Sequence, residues 1–224
     1  MPSKGKAGGP GRSLRTTRLE AFSDGVFAIA ITLLVLEIAL RPPGSALEQV
    51  FRAWPAYLAY VVSFLTIGAA WLEHSALTDR LTHADPMLLR LNLLLLLVVG
   101  FLPFPTRLVS EALHDAHELK HERVFVMMFG LTLLGINLLG GALEEYARRE
   151  KLFVAQGEGE ELERYRRNAV TTAGAYVVAI LTGLALPLLA VGFYFGIAVY
   201  LVVPFREVGR LLFRRRRDPS EGSQ

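Results

Sequence analysis

Four long stretches without a single charged residue constrain this chain more than any other feature. Uninterrupted uncharged runs cover 19 residues at 54–72, 16 at 91–106, 20 at 124–143 and 37 at 169–205. A helix needs about 20 apolar residues to cross the hydrocarbon core of a bilayer. Charged residues make up only 20% of the chain, against roughly 25% in soluble domains. These runs predict an all-α integral membrane protein.

The number of spans follows from the lengths of these runs. The run 169–205 would form a helix of about 55 Å, so we predict two spans in it, with the break marked by Pro187 and Gly192. A further span begins at Arg18 and is apolar from Gly25 to Leu36. The prediction is six transmembrane helices, at about 18–40, 53–74, 87–108, 123–143, 168–188 and 191–212. They form a domain at 18–213, between a tail at 1–17 and a basic tail at 214–224, and 144–168 is predicted to form a short helix outside the membrane.

The distribution of basic residues predicts the orientation. With six spans both termini lie on one side, and that side collects 19 of the 24 lysines and arginines. The other side has 5. Because cytoplasmic loops carry the excess of basic residues, we expect both termini in the cytoplasm.

Polar side chains near the cytoplasmic ends of the first three spans are the main candidates for a functional site. Asp24 lies about 9 Å into the first helix, the second ends at His74, and the third begins near Asn92. These three residues are therefore expected at one depth, with Ser23 and Trp71 as further hydrogen-bonding partners. Polar groups inside a membrane are costly, and they are either structural contacts or part of a transport path.

A structural role is the favoured interpretation of these polar residues, and a proton relay is the alternative. A relay needs a polar path across the membrane. Between Asp24 and Glu37 the first span offers only Thr32. The same span has an apolar stripe at helical spacing, which by itself indicates packing; its members are Phe22, Val26, Ile29, Leu33, Leu36 and Leu40.

Three motifs give the chain a family resemblance. The segment from Arg18 through Phe22-Ser23-Asp24 resembles the R-x-x-x-F-S-D first helix of the lysosomal potassium channel family, transmembrane protein 175 and its prokaryotic relatives. Further similarity lies in Trp71-x-x-His74, Leu91-Asn92-Leu93 and Leu102-Pro103-Phe104-Pro105-Thr106. The resemblance implies a potassium-selective, leak-type cation channel of a prokaryotic cytoplasmic membrane, with K⁺ as the permeant ion.

The resemblance also implies an assembly and a pore. Prokaryotic members form homotetramers in which the first helix of each subunit lines the central pore. Ile29 would then form the narrow hydrophobic constriction, with Leu33 and Leu36 on the next turns and Thr32 as a polar residue near the pore. A cytoplasmic network that holds the pore helix would comprise Arg18, Phe22, Ser23, Asp24, Trp71, His74 and Asn92. The chain contains no T-V-G-Y-G carbonyl filter, so a hydrophobic constriction would have to gate and select.

Other features indicate neither an enzyme nor a cofactor. The spacing of His114, His117 and His121 could suit a metal, but these residues are interpreted as a solvated loop or short helix outside the membrane. The basic run 214–217 indicates contact with anionic lipid rather than nucleic acid. Two alternatives to a channel stay open: a proton-coupled secondary transporter using Asp24 and His74, and a structural membrane subunit without transport activity.

Overall fold

The architecture is that of a helical bundle. The structure is a computed structural model, and it describes residues 13–38, 44–114, 119–154 and 160–203. Its helices are α1 (Ser13–Leu33), α2 (Ala46–Arg52), α3 (Trp54–Arg80), α4 (Pro86–Phe101), α5 (Pro103–His114), α6 (Leu119–Arg149), α7 (Glu160–Gly183) and α8 (Pro187–Val202). Within these ranges the β-structure is a single isolated antiparallel bridge between Leu81 and Phe153.

Four helical segments are long and apolar enough to cross a membrane: Thr16–Glu37, Trp54–Arg80, Pro86–Leu113 and Glu122–Arg149. Each overlaps one of the first four predicted spans, although the bounds differ by up to six residues at an end. The helix α8 is apolar over 16 residues. The chain is therefore an integral membrane protein, while the count of six crossings stays a prediction.

The first span does not keep one helical geometry to its end. The α-helix ends at Leu33, and Leu34–Glu37 forms a turn of 3₁₀-helix. Side chains three residues apart eclipse one another in a 3₁₀-helix. Leu36 therefore follows Leu33 on the same side of the span.

The third predicted span is interrupted at Leu102, between α4 and α5. Pro103 and Pro105 have no backbone N–H, so the carbonyls four residues earlier lose their usual helical donors. The N–H of Leu102 instead bonds the Val99 carbonyl at 3.1 Å, and the Thr106 hydroxyl donates to the Leu102 carbonyl at 2.8 Å. Helical dihedral angles at Leu102 let the chain continue in the same general direction.

Two predictions about the second half of the chain are wrong in detail. The break between the last two helices comes at residues 184–186, directly before Pro187, whereas Gly192 lies inside α8. The predicted separate helix at 144–168 does not form, because α6 continues to Arg149 and α7 begins at Glu160. A single glycine costs a helix only about 1 kcal/mol, which a well-packed helix tolerates.

The helices α3 and α6 form the centre of the bundle, and α1 lies at its edge. Each central helix packs against most of the others, whereas α1 packs mainly on α3 and α4. The core contains large side chains from both halves of the chain, among them Phe27, Leu34, Val62, Ile67, Val99, Phe129, Leu133, Tyr176 and Tyr194. This placement leaves α1 with a second face that the protomer does not cover.

Backbone hydrogen bonds join the end of α3 to the segment after α6, at one end of the bundle. The N–H of Thr82 donates to the Leu152 carbonyl at 2.8 Å, and the N–H of Val154 donates to the Arg80 carbonyl at 3.0 Å. The guanidinium of Arg80 also bonds the buried Glu144 carboxylate at 3.3 Å and lies 5.1 Å from the Phe153 ring centroid. These contacts tie the end of α3 to the segment that follows α6.

Candidate functional site

A buried chain of hydrogen bonds joins α1, α4 and α3. The hydroxyl of Ser23 donates to the Leu19 carbonyl one turn earlier at 2.8 Å. The amide Nδ2 of Asn92 donates to Ser23 Oγ at 3.0 Å, and the Asn92 Oδ1 lies 2.8 Å from His74 Nε2. All three side chains are less than 5% exposed. The pore-helix candidate is thus held to two other helices by side-chain bonds in an apolar setting, where such bonds are rarely exchanged for water.

The directions of these hydrogen bonds determine one another. The hydroxyl hydrogen of Ser23 is donated to the Leu19 carbonyl. Ser23 Oγ must therefore accept from Asn92. The Asn92 oxygen then faces His74, so His74 Nε2 must carry a hydrogen and donate it. In the neutral imidazole the other nitrogen, Nδ1, is left with a lone pair.

A second, separate contact joins α1 to α3. The indole N–H of Trp71 donates to Asp24 Oδ1 at 2.8 Å. Trp71 is 40% exposed, so this bond lies at the surface of the protomer. Asp24 and His74, the pair named for a proton-coupled transporter, have different partners in the structure.

Arg18 and Phe22 lie apart from the buried bonds. Both are exposed, and together with Asn92 and Pro86 they line an open groove of about 440 Å³ between α1 and the start of α4. The structure thus brings together Ser23, His74 and Asn92, and separately Asp24 and Trp71. Membership of Arg18 and Phe22 in one network with them stays a prediction.

The apolar stripe of α1 lies on its uncovered face. Ile29 is 60% exposed, Leu33 41% and Leu36 73%. On the face that packs against the bundle, Phe27 and Ala30 are 1% exposed and Leu34 is fully buried. Large aliphatic side chains at this exposure need lipid, a second subunit or a pore around them.

Thr32 is the polar residue of this exposed region. Its hydroxyl donates to the Ile29 carbonyl at 2.9 Å, one turn earlier in the helix. The hydroxyl hydrogen is therefore used within α1, and the oxygen keeps lone pairs that can accept from water or contact a cation.

Two polar features deeper in the bundle are not among the predicted site residues. The hydroxyls of Ser63 and Thr106 bond each other at 2.7 Å and join α3 to α5. Asn137 and Tyr176 line a small cavity beside His74. Asn137 was noticeable as an amide inside an apolar run, but nothing in the local sequence of Tyr176 distinguishes it from a packing residue.

The histidine-rich segment adds no metal site to the described structure. Residues 115–118, with His117, lie outside the described residues, and the same holds for the side chains of His114 and His121. Among the residues that the structure describes, no group of three histidine, aspartate or glutamate side chains could hold a metal ion. The candidate site therefore consists of the α1 stripe and the two polar contacts behind it.

The fold and this site define the class of protein. A membrane-spanning helical bundle that presents an aliphatic stripe on a peripheral helix, backed by buried polar bonds, resembles an ion-channel subunit. The family model "Endosomal/lysosomal potassium channel TMEM175" matches residues 18–103. A potassium channel from Streptomyces collinus is 41% identical over 129 residues, which are 56% of this chain and 61% of that protein. A potassium channel from Chamaesiphon minutus is 34% identical over 195 residues, which are 84% of this chain and 94% of that protein.

The chain belongs to the TMEM175 family of ion channels, which are not enzymes. The crystal structure of a lysosomal potassium-selective channel TMEM175 homolog from Chamaesiphon minutus superposes with a TM-score of 0.71 at 32% identity. That superposition covers 83% of this chain and 95% of the other. Relatives in animals carry the name endosomal/lysosomal proton channel TMEM175, and the chain spans 23% of the length of the protein from Gallus gallus, at 40% identity over 115 residues.

Proposed function

We propose that this protein is a potassium-selective, leak-type cation channel, a homotetramer with six transmembrane helices per subunit. In it the exposed stripe of α1 lines a central pore. The observation that carries the proposal is the exposure of Ile29, Leu33 and Leu36 on α1, a helix at the edge of the bundle. Two relatives that align with it are named potassium channels. One six-helix unit cannot place four copies of α1 around an axis, so the pore requires several subunits.

The proposed constriction works by dehydration. A ring of Ile29 side chains offers no ligand to an ion, so an ion must lose part of its water shell to pass. K⁺ holds its water less tightly than Na⁺ and should pass more readily, with modest selectivity. The 3₁₀ turn keeps Leu36 above Leu33, which extends the aliphatic lining by one turn. Thr32 would supply the nearest hydroxyl oxygen to the path.

The polar contacts behind α1 would set the position of the stripe. Asn92 holds Ser23 and Trp71 holds Asp24, one residue apart on the helix. Two anchors on different helices oppose rotation of α1 about its own axis. Such rotation would move Ile29 out of the pore lining, so we assign these residues a positioning role, with Arg18 and Phe22 at the groove beside them.

Bi-ionic recordings test this function. Purified protein in planar bilayers, with K⁺ on one side and Na⁺ on the other, should give currents whose reversal potential favours K⁺. Because animal relatives are named proton channels, the same bilayers should be examined under a pH gradient at symmetric K⁺. Substrate-coupled proton movement without unitary currents would instead favour the transporter that uses Asp24 and His74, and silent bilayers would favour a structural subunit.

The substitution Ile29→Asn tests the constriction itself. An amide makes the narrowest ring wettable, so conductance should rise several-fold and K⁺ selectivity over Na⁺ should fall. The matched control is Leu131→Asn, which changes another exposed aliphatic residue, 55% exposed on α6. Equal effects of the two substitutions, or none, would remove Ile29 from the proposed constriction.

A further inference from the structure

A small polar cavity lies behind the hydrogen-bonded chain of the pore helix. Its volume is about 30 Å³, and its lining includes Thr66, Glu73, His74, Asn137 and Tyr176. These residues come from α3, α6 and α7. A cavity needs roughly 10–15 Å³ to hold one water molecule, so this one has room for a water and little more.

Three buried polar atoms of the lining have no hydrogen-bond partner in the part of the chain that the structure describes. They are His74 Nδ1, Asn137 Oδ1 and Tyr176 Oη. His74 is 4% exposed and Tyr176 1%. Thr66 lies near the Tyr176 hydroxyl but not in hydrogen-bonding geometry with it, and its own hydrogen goes to the Val62 carbonyl at 2.9 Å. An unsatisfied buried polar atom costs about 1–3 kcal/mol, so three on one cavity indicate a shared ligand.

The hydrogens on these atoms define that ligand. In the neutral imidazole, His74 Nδ1 is an acceptor because Nε2 donates to Asn92. Asn137 Oδ1 is also an acceptor, whereas the Tyr176 hydroxyl can donate. A ligand that satisfies all three atoms must therefore offer two hydrogens and accept one, which a water molecule can do.

We propose that this cavity is a binding site for one ordered water molecule that bridges His74, Asn137 and Tyr176. The water donates to His74 Nδ1 and to Asn137 Oδ1, and it accepts from Tyr176 Oη. Three hydrogen bonds are typical of buried water. Through this water, the hydrogen bonds that run from Leu19 through Ser23 and Asn92 to His74 continue into α6 and α7. Polar contacts then link α1 to four other helices rather than two.

This site does not depend on which ion the protein conducts. It depends on the cavity and on the three atoms, which belong to the protomer itself. Its failure and the failure of the proposed potassium conductance would therefore be separate results.

A high-resolution structure tests the site directly. The full-length protein in lipid nanodiscs, determined at about 2 Å or better at neutral pH, should show a density peak at normal hydrogen-bond distances, about 2.7–3.2 Å, from all three atoms. A Tl⁺-loaded sample should show no anomalous peak there. Ordered side chains without the peak, a direct bond from Tyr176 to Thr66, or a Tl⁺ signal in the cavity would each overturn the proposal.

A double-mutant cycle tests the water site without a density map. Tyr176→Phe and Asn137→Leu should each lower the melting temperature, and the double variant should lose less than the sum, because both remove bonds to the same water. The control is Tyr194→Phe, a buried tyrosine outside the cavity lining whose hydroxyl donates to the Val126 carbonyl. Tyr194→Phe should be additive with Asn137→Leu. Additivity in both cycles would show that no shared water links Tyr176 to Asn137.

Discussion

Trp71 donates its indole hydrogen to the carboxylate of Asp24 at 2.8 Å, across 47 residues of sequence and between two helices. The adjacent residue of α1, Ser23, is bonded instead by Asn92 of α4. Neighbouring positions on α1 are therefore anchored to different helices, and the polar groups form two contacts at one end of the span rather than one cluster.

The Trp71–Asp24 bond should contribute modestly to stability. Trp71→Phe keeps an aromatic ring and removes the donor, so the free energy of unfolding should fall by about 0.5–1.5 kcal/mol. The measurement is a melting or denaturant curve in detergent. Trp54→Phe is the control, since Trp54 is the other tryptophan and is 50% exposed. An equal loss in the control would mean that the indole bond adds nothing of its own.

Asn92 should be the most costly polar residue of the site to replace. Asn92→Leu removes the acceptor of His74 and the donor to Ser23 at once. Leaving His74 Nε2–H buried without a partner costs about 1–3 kcal/mol. Ser23→Ala, which removes one bond, should cost less, and the two substitutions should be non-additive.

Recordings of Asn92→Leu separate a positioning role of Asn92 from a purely structural role. In bilayer recordings, Asn92→Leu should change open probability or K⁺ selectivity in the protein that remains folded, because Ser23 lies on the proposed pore helix. If Asn92→Leu lowers stability but leaves selectivity and gating unchanged, the role of Asn92 is in folding alone.

Asp85 should make stability depend on pH at the low end. Asp85 caps α4 by accepting from the Leu88 N–H at 2.7 Å, and it accepts from the Tyr146 hydroxyl. Desolvation acts to raise the pKa of Asp85, but these hydrogen bonds outweigh it and hold the pKa below its ordinary value. A lowered pKa stabilises the fold above the unfolded value, about 3.9, and this stabilisation is lost as pH falls through the folded value.

The variant Tyr146→Phe tests this linkage. Removing the hydroxyl should move the pKa of Asp85 upward and destabilise the protein at neutral pH. The difference from the unsubstituted protein should shrink as the pH falls below about 4 and Asp85 becomes protonated in the folded state of both proteins. The measurement is the melting temperature from pH 3 to 7; a difference that is constant over this range would contradict the linkage.

Gly130 should not tolerate a side chain. A Cβ at this position would overlap the Tyr194 ring and Ile180 Cγ1, so Gly130→Ala should destabilise the protein by about 1–3 kcal/mol despite the better helix propensity of alanine. Gly174→Ala is the matched control in α7, where a Cβ meets nothing within 4 Å. The control should be neutral or stabilise by about 0.5–1 kcal/mol, and the two are compared by denaturant titration.

The sequence alone determined the features that depend on local composition. Runs of 16 or more uncharged residues specify apolar helices, because each backbone group must be satisfied within the segment inside a membrane. The prolines at 103 and 105 interrupt the helical bonding near Leu102 for an equally local reason. The motif around Phe22, Ser23 and Asp24 indicates the family from sequence alone.

The tertiary structure decided what depends on rotation about each helix axis. Sequence counting placed Asp24, His74 and Asn92 at one depth, but depth does not say which side chains face each other. Only packing directs Ser23 toward Asn92, leaves Asp24 to Trp71, and exposes Ile29 while burying Phe27 two residues earlier. Packing also brings Asn137 and Tyr176 to His74 from helices far away in sequence, since a shared cavity is a property of several surfaces and of no single segment.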